Sequence, residues 1–168
     1  VNPVLTLGEA EFARRAADAG ATAAILADLP VDESGRFVEA FATSGLGLVQ
    51  FAAPTTTDQR LDRVVASADP FVYGIAEMGV TGERDGSTSR AAELSARVRS
   101  RSDVPLVFGV GIATAEAAAA AVEHGDGVIV GTALVRRALE AGEATGAAAA
   151  TAELVADIAA ALAAKRPS

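Results

Sequence analysis

Pro105-Leu106-Val107-Phe108-Gly109-Val110-Gly111-Ile112-Ala113-Thr114 and Gly127-Val128-Ile129-Val130-Gly131-Thr132-Ala133 decide the fold class. Each begins as a short, nearly continuous apolar run, the mark of a parallel strand covered on both faces. Each then breaks on glycine and passes into a helical pattern. Three similar runs precede them: Thr22-Ala23-Ala24-Ile25-Leu26, Leu46-Gly47-Leu48-Val49-Gln50-Phe51 and Phe71-Val72-Tyr73-Gly74-Ile75. Amphipathic segments lie between. In the first, Phe12, Ala16 and Ala19 share a face and Gly20 is placed to end the helix. A second helix is predicted over Asp32 to Thr43 with Phe37, Val38 and Phe41 inward, and a third after Thr57 with Leu61, Val64 and Val65 at helical spacing. Arg90 to Val98 and Thr114 to Val122 continue the series, and the tail from Gly131 to Arg166 holds two helices split near Gly142 to Gly146. Strand–helix alternation on short links predicts an α/β protein with a parallel sheet. No linker or composition shift divides residues 1–168, so one domain is expected.

Composition narrows the function classes. The chain is 51% hydrophobic and 21% charged, which is globular rather than disordered. Its formal net charge of −8 argues against an unaided grip on nucleic acid or an anionic membrane. Absence of Cys removes disulfides, thiolate metal sites and a Cys nucleophile, and makes a reducing cytoplasm the default expectation. No apolar run approaches the roughly 18 residues needed to span a bilayer. The chain starts on Val1, inside the strand–helix pattern, which reads as a segment of a longer polypeptide or a processed product.

The chemistry is expected at the strand exits. Glycine there lets backbone approach a ligand, and unpaired amides at a helix start point at an anion. A phosphate site built from the last two strand exits is recurrent in (β/α)₈ barrels. Neither exit carries Lys or Arg, so a phosphate would rest on amides, helix dipoles and the Thr132 hydroxyl. Arg136 and Arg137 read as exposed charges on the last helices, with a place near the phosphate as the less favoured alternative to plain solvation. The Gly-rich connection Ala76 to Ser87, after the third strand, is long enough for a ligand-covering loop. Dinucleotide and P-loop readings fail, because position 114 is Thr and no Gly-Lys-Ser/Thr occurs. Among lone candidates, Asp28 reads first as a turn or N-cap residue before Leu29-Pro30, and His124 as a dipole contact near a helix C-terminus.

Asn2-Pro3-Val4, Ala27-Asp28-Leu29-Pro30, Ala53-Pro54-Thr55-Thr56, Tyr73 with Met78-Gly79-Val80-Thr81-Gly82, Gly109-Val110-Gly111-Ile112 and Gly131-Thr132-Ala133-Leu134 stand in the order seen in tryptophan synthase α chains. From Asn2 to about Glu140 the chain resembles that family, and its high Ala content is similar to that of actinobacterial members. The resemblance implies a TIM barrel, here strands four to eight. It implies a cofactor-free lyase of tryptophan biosynthesis that cleaves indole-3-glycerol phosphate to indole and glyceraldehyde 3-phosphate. It implies phosphate binding at Gly82, Gly111, Gly131 and Thr132, an indole pocket walled by Ile25, Ala27, Phe51, Tyr73, Val110 and Ile129, and a lid bearing Thr81. Glu77 departs from the Arg that many members carry in the lid. The family's two essential carboxylates fall upstream of the segment matched by Asn2, so no catalytic residue is assigned here and the isolated chain is expected to be inactive. The implied partner is the tryptophan synthase β chain. Two alternatives stay open: a non-catalytic phosphate-binding or β-chain-interacting module, and another phosphate-binding barrel. The second usually needs a strand-borne Lys or metal-binding His/Asp, and none is visible here.

Overall fold

The computed structural model describes residues 1–76 and 84–165, with backbone alone over 84–89. Five strands, β1 (Ala23–Ile25), β2 (Gly47–Ala52), β3 (Val72–Gly74), β4 (Leu106–Phe108) and β5 (Gly127–Val128), follow one another in chain order in the sheet. Helices α1 (Asn2–Leu7), α2 (Glu9–Asp18), α3 (Gly35–Thr43), α4 (Asp58–Ser67), α5 (Arg84–Arg99), α6 (Ala115–Ala121), α7 (Thr132–Glu140) and α8 (Ala144–Lys165) alternate with them. The expected α/β class and parallel pairing are both found: β1 pairs β2 with Ala23 opposite Gly47, and β4 pairs β5 with Val107 opposite Gly127. Except for β2, the strands are shorter than their apolar runs because the runs continue into the turns. Beyond β5, for example, the Ile129 amide still donates to the Phe108 carbonyl at 2.8 Å. α1 has no counterpart in the sequence pattern, since Pro3 in its first turn is compatible with either a helix start or a loop.

The chain divides into two compact units, Val1–Tyr73 with Ala96–Leu106, and Gly74–Ser95 with Val107–Ser168. In the first, α2 ends as its sequence predicts. Gly20 takes φ +90°, its amide donates to Ala17 and that of Ala21 to Ala16, both at 2.9 Å, so the last carbonyls are satisfied. The core gathers Val4, Ala13, Phe37, Phe41, Leu46 and Leu48. Phe41 stacks on Phe12 at 5.8 Å and meets the edge of Phe37 at 6.3 Å, both favourable aromatic geometries. The buried Gln50 amide donates to Ser34 Oγ at 3.1 Å, and that hydroxyl donates to the Val31 carbonyl at 2.9 Å. Leu48 and Gln50 therefore face the α3 side of β2. By the period-two alternation, Val49 and Phe51 face the other way.

In the second unit α6 contributes Ala117, Ala118 and Ala121 to the interior, and α8 contributes Leu154 and Ile158. Small side chains on α6 let α8 approach closely. Lys165 at the end of α8 pairs with Glu123 just past α6 at 2.5 Å, and this contact holds the Glu123 carboxyl below its ordinary range. α8 is by length and composition apolar enough to cross a membrane, although Glu153 and Asp157 interrupt it and only 11% of its most apolar stretch is buried. This alanine-rich helix corrects the expectation that no apolar run approaches that length.

Candidate functional site

The two glycine exits converge in the second unit. Gly109, Gly111 and Ile112, following β4, and Gly131, Thr132 and Arg136, at and beyond the end of β5, line one cavity of about 230 Å³. Gly111 takes φ +76°, where a side chain would be strained, while nothing lies within 4 Å of the place a Cβ would occupy. The glycine is thus required by backbone conformation, and its open side is part of the cavity. The helix starts behind the two exits differ. α7 begins at Gly131 with no side-chain cap, leaving its leading amides to solvent or a ligand. α6 is closed from within: Thr114 Oγ1 accepts from the Ala117 amide at 3.2 Å, and hydrogen bonds to its own backbone amide and to Thr114 hold Glu116 below its ordinary pKa. Of the two helix starts, that of α7 is the one with no side-chain cap, while at α6 the Ala117 amide is taken by Thr114.

Two of the expected aromatic wall residues meet in the first unit. The Phe51 and Tyr73 rings, both half-buried, lie 5.1 Å apart at 37°. On β1, Ile25 is 47% exposed and Ala27 is exposed as well, so this apolar surface is open. The loop after Phe51 is pinned by Arg97, which donates to the Pro54 carbonyl at 2.9 Å, the Thr56 carbonyl at 2.5 Å and Asp58 at 2.9 Å. Hydrogen bonding to Arg97, with the Arg101 charge second, lowers the Asp58 pKa. Sequence reading assigned Arg97 no role, because a cation near a helix C-terminus looks like ordinary dipole compensation. In the second unit, Val110 and Ile129 are both half-buried, and neither lines the cavity.

Other candidates resolve as follows. Gly82, Thr81 and Glu77 lie outside the described residues. Asp28 is exposed and lies in the turn closed by the Leu29 amide on the Leu26 carbonyl at 3.1 Å, in line with its reading as a turn residue. His124 lies beyond the end of α6, its amide bonded to the Ala121 carbonyl at 3.2 Å. Its buried Nε2 finds no hydrogen-bond partner among the described residues. Arg136, read from the sequence as an exposed charge with a place near the phosphate as the less favoured alternative, is exposed and lines the cavity. The available signal was its spacing of four from Thr132, which places both on one helical face.

A family profile described as tryptophan synthase alpha chain matches residues 1–163. The chain is 44% identical over 157 residues to the tryptophan synthase alpha chain of Mycobacterium avium, covering 94% of this chain and 58% of that protein. Against the alpha chain of Carboxydothermus hydrogenoformans it is 42% identical over 135 residues, 80% of this chain and 51% of that one. Among solved structures, tryptophan synthase from Mycobacterium tuberculosis superposes with a TM-score of 0.81 at 38% identity, over 95% of this chain and 59% of that chain. The alpha chain from Legionella pneumophila gives a TM-score of 0.79 at 31% identity, over 96% and 60%. The chain spans about half to three-fifths the length of these relatives.

Proposed function

The chain belongs to the tryptophan synthase alpha chain family, and we propose that it forms the phosphate-binding and indole-facing part of a cytoplasmic lyase acting on indole-3-glycerol phosphate. In this reading residues 1–168 are one domain, corresponding to strands four to eight of the family barrel. The observation that carries it is the cavity shared by Gly111, Gly131 and Thr132 at an uncapped helix start, which suits a phosphate monoester. The amides at Gly111 and Gly131 and the Thr132 hydroxyl donate to the phosphate oxygens, with Gly82 adding a further amide. Ile25, Ala27, Phe51, Tyr73, Val110 and Ile129 supply the apolar wall for indole, and Thr81 belongs to a lid over the substrate.

The reaction sets a second requirement. As the bond between indole C3 and the glycerol carbon breaks, C3 takes up a proton and the adjacent hydroxyl loses one, leaving the aldehyde of glyceraldehyde 3-phosphate. An acid and a base are needed, and we assign both to residues outside these 168. The chain's own residues bind and orient; no cofactor is invoked. A tryptophan synthase β chain is the proposed protein partner. Indolepropanol phosphate, which keeps both ends of the substrate but lacks the cleavable unit, should bind this chain saturably and be displaced by glycerol 3-phosphate. Calorimetry showing no binding, or binding that glycerol 3-phosphate leaves untouched, would sink the proposal.

A further inference from the structure

We propose that Arg136 is the charge-bearing ligand of the phosphate in this cavity, a side-chain cation that the glycine exits themselves lack. The inference rests on the phosphate-site reading above and adds to it a residue and a source of anion selectivity. Arg136 stands one turn into α7 from Thr132, and both line the same 230 Å³ cavity with Gly111 and Gly131. It is exposed, and no ion pair or hydrogen bond engages it among the described residues. The next residue provides the contrast. Arg137 faces Glu153 on α8 at 4.0 Å and does not line the cavity.

Two adjacent arginines on one helix thus divide between a carboxylate of the fold and an open anion-sized space. The chemistry follows from the donor set. Amides and a hydroxyl hold oxygens in place but supply no net charge, and a chain with net charge −8 repels a dianion at long range. A guanidinium at the cavity edge offsets that repulsion locally and offers a planar, two-pronged donor to two phosphate oxygens. This predicts selection of a phosphate monoester over a neutral polyol of the same shape. It also predicts weaker binding when the fork is replaced by a single ammonium.

Glycerol 3-phosphate is the probe, titrated calorimetrically into the 168-residue chain and into its Arg136→Ala, Arg136→Lys, Arg137→Ala and Thr132→Val variants at fixed ionic strength. Charge-assisted hydrogen bonds of this kind lead us to expect about a tenfold loss of affinity for R136A. A loss of about threefold is expected for R136K, less than twofold for R137A, and no measurable binding of glycerol by any form. Circular dichroism of each variant guards against misfolding, and the R137A result separates a local contact from the mere loss of a positive charge. Equal losses for R136A and R137A, or none for R136A while T132V weakens binding, would overturn the role of Arg136 and leave the phosphate site standing. Failure of the parent chain to bind glycerol 3-phosphate would remove both.

Discussion

At the residue scale the cavity depends on positions where one atom matters. Gly111 needs a positive φ, and its surroundings are empty, so adding a methyl group tests backbone strain without a clash. Gly111→Ala should destabilise the chain by about 1 kcal/mol, read as a lower urea midpoint at unchanged slope. It should also weaken glycerol 3-phosphate binding by displacing the exit. An unchanged midpoint would mean that the left-handed conformation is not held there. Thr132 offers the complementary test, because Ser keeps the hydroxyl and Val keeps the shape. Binding should survive Thr132→Ser and fall about five- to tenfold in Thr132→Val. These residues were legible in the sequence because each glycine interrupts an apolar strand at its exit. Arg136 was legible there only as the less favoured alternative. Charge on a helix is usually solvated, and the Thr132–Arg136 spacing says only that they share a face, not that the face borders a cavity.

Elements reflect the same division between pattern and context. β2 was plain from its apolar run, yet the buried Gln50 in its middle gains its meaning only from Ser34, sixteen residues earlier in the chain. α3 was readable from the spacing of Phe37 and Phe41, and the structure shows why that spacing is used, with Phe41 joining α2 to α3 through Phe12. Phe41→Ala should cost about 3–5 kcal/mol, since the ring is 1% exposed and its neighbours can close the gap only partly. α2 carries a different, pH-dependent contribution. Hydrogen bonds from Arg14 and then Arg15 pull the Glu11 pKa from 4.5 down to about 2. A carboxyl lowered on folding stabilises above its unfolded pKa and loses that contribution as pH falls through the folded one. The difference in melting temperature between the parent and Glu11→Gln should therefore be small but full at neutral pH, and should shrink from about pH 4.5 towards pH 2. A difference that stayed constant over that window would show that the ion cluster is not formed in solution.

At the scale of the whole molecule, binding and chemistry separate. Several described carboxylates of the first unit are paired with arginines, among them Asp32 with Arg60 and Arg63, Asp58 with Arg97 and Arg101, and Asp62 with Arg101. For Asp58 these contacts lower the pKa, the wrong direction for a group that would hand a proton to indole C3 near neutral pH. The single His has its imidazole Nε2 buried without a partner, and it does not line the cavity. On the proposed reading, in which amides, a hydroxyl and one guanidinium bind the phosphate and the acid and base lie outside these residues, the chain should hold indole-3-glycerol phosphate without breaking it. With the chain in excess over substrate, indole extracted and measured over hours should stay at the buffer rate, while the substrate remains protein-bound and is recovered intact on denaturation. Indole release above that rate, lost together with Thr132→Val, would show that a carboxylate of this chain completes the site and would overturn the assignment of the acid and base to residues outside it.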